Sequence, residues 1–582
     1  MARRFAFVCV LAACGAALVS AVPDYLFTPS TDPDPVGRAT RLAIRQAFFG
    51  YADLAHSFDP NGVAFTNLPA GQYVKNVSVA SSDPSAFIGK AWQDAQWNSL
   101  FDEVYMAEIP IGGQAGAAAA SGLVLNTLAD YASIYPFFGF TPIGLTGYAT
   151  DEHFGRLRKT YFPTLIAKTT TLPSFLSGVV SPAAHAALVA DALLGRLFQI
   201  DFAAAVAGLT LPDAASRFGN TLPSFALFRQ AAPLSATSPL LPVGILLNGR
   251  WYVPTDPAND WTLAKLTCNM LEAWIQPLDH FIETHLMAAP AALAAQRQLD
   301  KAHPVRALLS EAIDYAVALA VVGFPGIFNI GTAYDAFSLF GSVAAHSYLN
   351  REWAARPFPE RYFAANIASR GLTTLGGYAY RDDLQSYSSA FSGYVARTLG
   401  QYYASDAAVA ADTELQAWAA EVASGSLGKI YGFPSPITSL DALEGVVNHY
   451  KLLVVRHHAT NTRGYSEVEL VVPYAPWRMN CTIPTAVGVV TETFIVQQCM
   501  PGLGAAVQQI AHARGFNRYF PPEYAVLYTP TTDETGKVND LARTELAFRL
   551  NLLSSSIQSR PTTGLLPYFL LDPLLLPRSG FE

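Results

Sequence analysis

Residues 277–287 read PLDHFIETHLM, and they place two histidines, His280 and His285, five residues apart. The surrounding apolar residues recur at three- and four-residue spacing, which predicts a helix. On a regular α-helix, positions i and i+5 point roughly 140° apart, so two rings at this spacing cannot bind one ion. A single π-turn of about 4.4 residues reduces that angle to roughly 50°. The spacing therefore indicates either an accidental pair or a metal site beside a π-bulge within 280–285.

A second histidine cluster reads VVRHHATN, residues 454–461. His457 and Asn461 are four residues apart and share one face of a regular helix. The overlapping stretch VVNHYKLLVV has apolar residues at helical spacing, which predicts that this helix is buried. Buried polar side chains need partners. Those partners are either a metal or a hydrogen-bonded core network, and the cluster by itself leaves both open.

The composition predicts a large, mainly α protein. The chain has 582 residues, a net charge of −8, 51% hydrophobic residues and 14% charged residues, which is enough for an extensive core. Alanine is frequent, and the apolar spacing from Trp261 onward is helical, with Asp260 as the expected N-cap. Two short strands are predicted in 241–261, joined by a turn at Asn248-Gly249. The mild acidity argues against a nucleic-acid partner.

The N-terminal segment predicts export. MARR is followed by an apolar run and a small-residue cleavage site, so residues 1–21 are expected to be a signal peptide that is removed after Ala21. Asn76 and Asn480 match the glycosylation acceptor pattern. Asn480 lies in an apolar stretch, so we expect that this second site is not used.

Several common catalytic motifs are absent from the sequence. It contains no GxSxG, Walker, GxGxxG or HExxH motif. Glu283, inside HFIETH, is at the wrong offset for the general base of a zinc hydrolase. Beyond the signal segment there are three cysteines, Cys268, Cys481 and Cys499, which allow one bridge and leave one free thiol.

The stretch from residue 260 to residue 309 resembles the lipoxygenase family. It contains DWTLAKLTCNMLEAWIQPLDHFIETHLM and then RQLDKAHPVRALL, aligned without a gap. The residues that carry this resemblance are Asp260-Trp261, Leu263-Ala264-Lys265, His280, His285, Arg297-Gln298-Leu299, His303-Pro304 and Leu308-Leu309. Further segments are similar to other parts of the family's catalytic domain: TDEHFGRLRKTYFPTLI, HHATNTRGY, VPYAPWRMNCTIPT and GLLPYFLLDP.

The resemblance covers roughly residues 150–582, and no stretch resembles the N-terminal β-barrel lipid-binding domain of plant and animal members. It implies one large helical catalytic domain over 22–582, with 22–110 as its less regular N-terminal part. A few short strands and a metal-bearing central helix with a π-bulge are expected.

The same resemblance implies a metal site and an activity. The expected ligands are His280, His285, His457, Asn461 and the terminal carboxylate of Glu582, where the family usually ends in Ile. The adjacent His458 is the alternative to His457. The expected ion is one non-haem iron, with manganese as the alternative. A metal(III)-hydroxide would take hydrogen from a polyunsaturated fatty acid, and O2 would add to give a hydroperoxide.

The resemblance also suggests where oxygen is steered. Gly323 falls where the family carries Ala or Gly, and Ile327 and Phe328 are expected to line the same pocket. A secreted monomer with peripheral membrane contact is expected. The alternative function is that of a catalytically inactive, secreted lipid-binding protein that keeps the fold. Retention of all three histidines favours the enzyme.

Overall fold

The computed structural model describes most of the chain from residue 26 onward. The described residues are 26–51, 72–74, 113–139, 142, 149–209, 222–230, 238–313, 316, 328, 335, 338–460, 468, 470–516, 540–560 and 568–576. The expected signal peptide and Asn76 lie outside these residues, and so do Gly323, Ile327, Asn461 and Glu582.

The described residues are mainly helical, as the sequence predicts. Helices α1 to α18 are, in order, Pro35–Phe48, Asp151–Leu157, Leu176–Val179, Pro182–Leu193, Phe202–Val206, Ala258–Glu283, His285–Gln298, Pro304–Ile313, Gly341–Ala355, Phe358–Arg361, Phe363–Ser369, Ala379–Leu399, Asp406–Ala410, Thr413–Ala423, Leu440–Thr460, Glu492–Phe494, Leu503–Phe516 and Asp540–Gln558. Strands β1 to β7 are Phe49–Tyr51, Gln72–Val74, Ala167–Lys168, Leu197–Asp201, Pro223–Gln230, Leu240–Leu247 and Arg250–Tyr252. A π-helical turn occupies Ile495–Cys499.

Helices α6 and α7 form the centre of the molecule. From Asp260 to Ala295 nearly every residue is buried, with Thr262 and Pro277 as the half-buried positions. A helix buried on all sides belongs to the core rather than to the surface. Helices α9 and α15 pack against α6, and α1 and α14 pack against α7. This arrangement places the two histidines of the opening motif inside the largest hydrophobic core.

Five antiparallel strands, β3 to β7, form a sheet in sequence order beside the central helices. The predicted turn joins β6 to β7, with positive φ at Asn248 (50°) and Gly249 (75°). Two successive positive φ values are typical of the type I′ hairpin turn. Side chains alternate between the two faces of the sheet, so Phe198 faces the main core while Leu197 faces a second, smaller one.

Two predictions from the sequence are wrong. Asp260 does not cap α6, which begins at Ala258; its buried carboxylate instead accepts a hydrogen bond from Arg250 at 2.8 Å. Asn480 does not lie in apolar surroundings, because its side chain is exposed, as is that of Thr482 in the same acceptor pattern. The apolar neighbours in sequence are buried, while the acceptor residues themselves face outward.

The cysteine prediction is confirmed. Cys481 and Cys499 form a disulfide, and Cys268 is a buried free thiol in α6. Within the part of the chain that the structure describes, no helix is long and apolar enough to cross a membrane.

Candidate metal centre

The two histidines lie on either side of a break in the central helix. Thr284, with φ −122° and ψ −73°, is outside the α-helical region and separates α6 from α7. Its amide and its hydroxyl both donate to the carbonyl of His280, at 3.0 and 2.6 Å. Such back-bonding by threonine bends helices. The deformation predicted from the five-residue spacing is therefore confirmed. It is a break at Thr284 and not the predicted π-bulge, because the Thr284 amide keeps an α-type bond to the carbonyl four residues earlier.

The break brings the rings of His280 and His285 together. Their Nε2 atoms are 3.2 Å apart, and the two ring planes are inclined by 77°. Two nitrogens about 2.1 Å from one ion are about 3.0 Å apart at a right angle and about 3.4 Å apart at the tetrahedral angle. The observed separation lies between these values. Both rings are buried, so the pair fits two imidazole ligands of a single ion.

Two phenylalanines lie next to this pair. The ring of Phe281 is 5.3 Å from that of His285, and the ring of Phe328 is 5.1 Å from that of Phe281. Both phenylalanines are buried. Phe328 is expected from the sequence to line the oxygen-steering pocket. Its ring contacts that of Phe281, which in turn contacts the candidate ligand His285.

The other predicted ligands are only partly placed. His457 lies on α15, which packs against α6. The side chains of His457 and His458, and all of Asn461 and Glu582, lie outside the described residues. Among the residues that are described, no three His, Cys, Asp or Glu side chains come together as a metal site. The set of five ligands therefore stays a prediction.

Comparisons with known proteins agree with the resemblance found in the sequence. Residues 251–430 match the lipoxygenase family model. This stretch contains both histidines and the break between them. Over this stretch the chain is similar to lipoxygenases.

Curated proteins similar to this chain include two kinds of lipoxygenase. The manganese lipoxygenase of Colletotrichum gloeosporioides is 30% identical over 277 residues, which are 46% of this chain and 45% of that protein. The polyunsaturated fatty acid lipoxygenase ALOX15B of Homo sapiens is 28% identical over 441 residues, 72% of this chain and 63% of that protein. The chain spans about half the length of the first of these relatives.

Solved structures share the fold. The manganese lipoxygenase of Gaeumannomyces graminis has a TM-score of 0.79 at 20% identity, over 96% of this chain and 100% of that one. The coral 8R-lipoxygenase also matches at 20% identity, with a TM-score of 0.79, over 96% of this chain and 83% of that one. The helical lipoxygenase catalytic fold is confirmed.

An ion-pair network that the sequence did not predict lies next to the break in the central helix. The Glu283 carboxylate accepts hydrogen bonds from Arg361 at 2.9 Å and forms an ion pair with Arg356 at 3.1 Å. One turn earlier, Asp279 accepts a hydrogen bond from the Tyr348 hydroxyl at 2.8 Å. Asp279 and Glu283 are i and i+4, so they project from one face of α6.

The arginines keep Glu283 ionised. Burial raises the pKa of Glu283, but Arg361 and Arg356 outweigh it and hold this pKa at about 2. A buried charge persists only when it is paired. The trace of this network in the sequence is a pair of carboxylates four residues apart in α6. The arginines lie more than 70 residues later, and nothing near them in sequence connects them to the histidines.

Proposed function

We propose that this protein is a lipoxygenase, a non-haem metal dioxygenase that converts polyunsaturated fatty acids with a linoleate-type 1,4-pentadiene into hydroperoxides. The observation that carries the proposal is the 3.2 Å separation of the His280 and His285 Nε2 atoms across a buried helix break. The curated relatives named as manganese lipoxygenase and as polyunsaturated fatty acid lipoxygenase support it. No described feature favours the alternative of an inactive lipid-binding protein.

His280 and His285 would hold the ion, with His457, Asn461 and the Glu582 carboxylate as the further proposed ligands. Iron is the proposed ion and manganese the alternative, because imidazole and carboxylate suit both. When bound, this metal would supply the one-electron oxidation that removes a hydrogen atom from the doubly allylic carbon of the substrate.

The protein's own residues prepare that reaction in three ways. The rings of His280 and His285 are aimed at one point by the Thr284 break. Phe281 and Phe328 present an apolar, water-excluding wall beside His285, which suits a hydrocarbon chain. The Glu283 network, with its ion pairs to Arg361 and Arg356, holds the broken helix in one geometry.

The test combines metal analysis with oxygen uptake. Purified wild-type protein is expected to contain one iron or manganese per chain, to consume O2 with linoleate and to form a conjugated diene. His280→Ala and His285→Ala should lose both the metal and the activity, while His185→Ala, on the surface helix α4, should keep both. Retention of metal by both of the first two variants would overturn the proposed centre.

The same measurement decides between the neighbouring histidines of α15. His457→Ala is expected to lose the metal and His458→Ala to keep it. The reverse result would show that the ligand assignment is displaced by one residue. Direct elemental analysis of the wild-type protein distinguishes iron from manganese.

We further propose that the protein is a secreted monomer that contacts membranes peripherally. The Cys481–Cys499 disulfide supports secretion, because such bonds persist in oxidising compartments. Expression with the native N-terminus in a secreting host, followed by N-terminal sequencing and light scattering, is expected to give a monomer that begins at Val22. Retention inside the cell or a stable oligomer would contradict this proposal.

A further inference from the structure

A helix on the outer side of the sheet has an unusual surface. Helix α4, Pro182–Leu193, covers the sheet face that points away from the metal centre, and its Leu188 and Ala192 pack into the smaller core. The remaining positions of a surface helix normally carry charged and polar side chains. Here they do not.

The outward face of α4 is entirely apolar. Every exposed position within this helix is alanine, proline, valine or leucine. Leu193 has 82% of its surface exposed and Val189 has 40%, and the adjoining Leu194 and Val179 are exposed as well. Single exposed apolar residues are common, but a continuous patch of them marks an interaction site.

The charges around this face are arranged for a lipid surface. Besides His185, Asp191 is the one acidic or basic residue in 169–195, although the chain as a whole has a net charge of −8. Its carboxylate lies 3.6 Å from Arg196 and 3.4 Å from Arg229, whose side chains are partly exposed at the C-terminal end of the helix. The face therefore combines apolar side chains with a cationic edge and carries no unpaired acid. This is the pattern of a helix that lies in the headgroup region of a membrane.

The size of the face argues against a second copy of the chain as its partner. Twelve residues make a helix about 18 Å long and about 10 Å wide, so its outer strip offers on the order of 200–400 Å². A stable protein–protein interface needs about 800 Å² from each partner. Shallow insertion into a bilayer requires no such minimum contact area, because the bilayer deforms around the helix.

We propose that the outer face of α4 docks on the surface of a phospholipid bilayer. This inference rests on the proposed function in one respect. The proposed fatty acid substrates partition into bilayers, and this gives docking on a bilayer its purpose. The contact itself follows from the side chains of α4. Val189 and Leu193 enter the headgroup region, and Arg196 and Arg229 lie at the level of the phosphates.

The test measures binding of full-length protein to large unilamellar vesicles by co-sedimentation. One set of vesicles is pure phosphatidylcholine and the other is an equal mixture of phosphatidylcholine and phosphatidylglycerol. Wild-type protein should bind both and prefer the mixture. The double variant Val189→Glu/Leu193→Glu should weaken binding about tenfold or more, since it puts two charges into the buried face. Glutamate is a good helix former, so α4 should stay folded.

Val124→Glu is the matched control. Val124 is 71% exposed and lies outside α4, so this variant should bind vesicles as the wild type does. Equal binding by the double variant and the wild type, or no binding by the wild type, would overturn the proposal. A wild type that is dimeric in light scattering, with a monomeric double variant, would show that a second copy covers the face and would also overturn it.

Activity is measured separately, on linoleate dispersed without vesicles. The double variant should keep the wild-type rate there, because α4 lies on the far side of the sheet from the histidines. Vesicle binding by a protein that consumes no O2 would contradict the proposed function and leave the docking surface intact. Oxygen uptake by a protein that does not bind vesicles would contradict the docking surface and leave the proposed function intact.

Discussion

Arg361 donates to the carboxylate of Glu283 at 2.9 Å, and Glu283 lies between His280 and His285 in sequence. Asp279, one turn earlier, is held by Tyr348 from another helix, and Thr284 bonds back to the carbonyl of His280. We expect the geometry of the proposed metal site to depend on the Glu283–Arg361 pair, because the break at Thr284 leaves the helix without its regular geometry.

We expect Arg361→Met to destabilise the protein by about 3–5 kcal/mol, since it leaves the buried Glu283 carboxylate with one arginine fewer. The variant should also bind metal less tightly at temperatures where it is still folded. Thermal unfolding and metal content measure the two effects. Arg549→Met is the control: its ion pair with Glu545 is on the surface, so its loss should cost about 0.5 kcal/mol or less. Equal costs for the two variants would contradict the role of the network.

The terminal carboxylate provides a second prediction. If the carboxylate of Glu582 is a ligand, one added residue moves that charge away from the ion. A C-terminal tag, or deletion of Glu582, should then abolish oxygen uptake while circular dichroism and the melting temperature change little. The same tag placed at the N-terminus of the mature chain is the control. Full activity of the C-terminally tagged protein would remove Glu582 from the ligand set.

A third prediction concerns product chirality. If Gly323 lies beside the pentadienyl radical, as the resemblance implies, it leaves room there for O2, where a methyl group would block one end. We expect a substantial R-configured or mixed hydroperoxide from linoleate and a shift toward S in Gly323→Ala, measured by chiral-phase chromatography. Ile327→Ala and Phe328→Ala should change the product ratio as well, whereas Phe154→Leu, which alters a ring stacked on Phe228 in the core, should not. A purely S product from both the wild type and Gly323→Ala would show that this glycine does not steer oxygen.

A fourth prediction is acid instability. Burial lowers the pKa of His153 to about 4, with help from Arg156 and Arg158, and burial alone lowers the pKa of His512 to about 4. Because these values are below the ordinary 6.5, each neutral ring contributes stability that is complete above pH 6.5 and is lost as the pH falls toward 4. Each shift corresponds to roughly 3 kcal/mol.

Urea unfolding measured between pH 7 and pH 4 tests this prediction. The wild type should lose stability throughout that window, and His153→Phe should show a shallower loss because one group that must take up a proton is gone. His185→Phe, at a half-exposed position on α4, should keep the wild-type slope. A stability that is independent of pH across this window would contradict the prediction.

Much of the fold follows from local sequence. Alanine-rich stretches with apolar residues at three- and four-residue spacing form the helices, because that spacing places the apolar side chains on the buried faces. Asn248-Gly249 forms the predicted hairpin turn because both residues tolerate positive φ. The histidine spacing required a deformed helix, and the deformation is present at Thr284.

Other features needed the tertiary structure. The sequence could not show that Arg356 and Arg361 neutralise Glu283, because residues more than 70 positions apart meet only when the helices pack. His303 stands in the same family motif as His280 and His285, yet its Nε2 bonds to Asp412 at 3.1 Å and it belongs to the core. Local sequence could not make that distinction.

Burial also could not be predicted from local hydropathy. Asp260 looked like a helix cap and is instead a buried partner of Arg250, whereas Asn480 looked buried and is exposed. The apolar helix α4 reads like any core helix in the sequence, and only its place on the outside of the sheet exposes its face. The sequence by itself determined which residues form helices and turns and where the central helix is deformed, since these depend on spacing along the chain. The tertiary structure decided which charges are paired and which apolar surface stays in contact with solvent, because these depend on packing between distant segments.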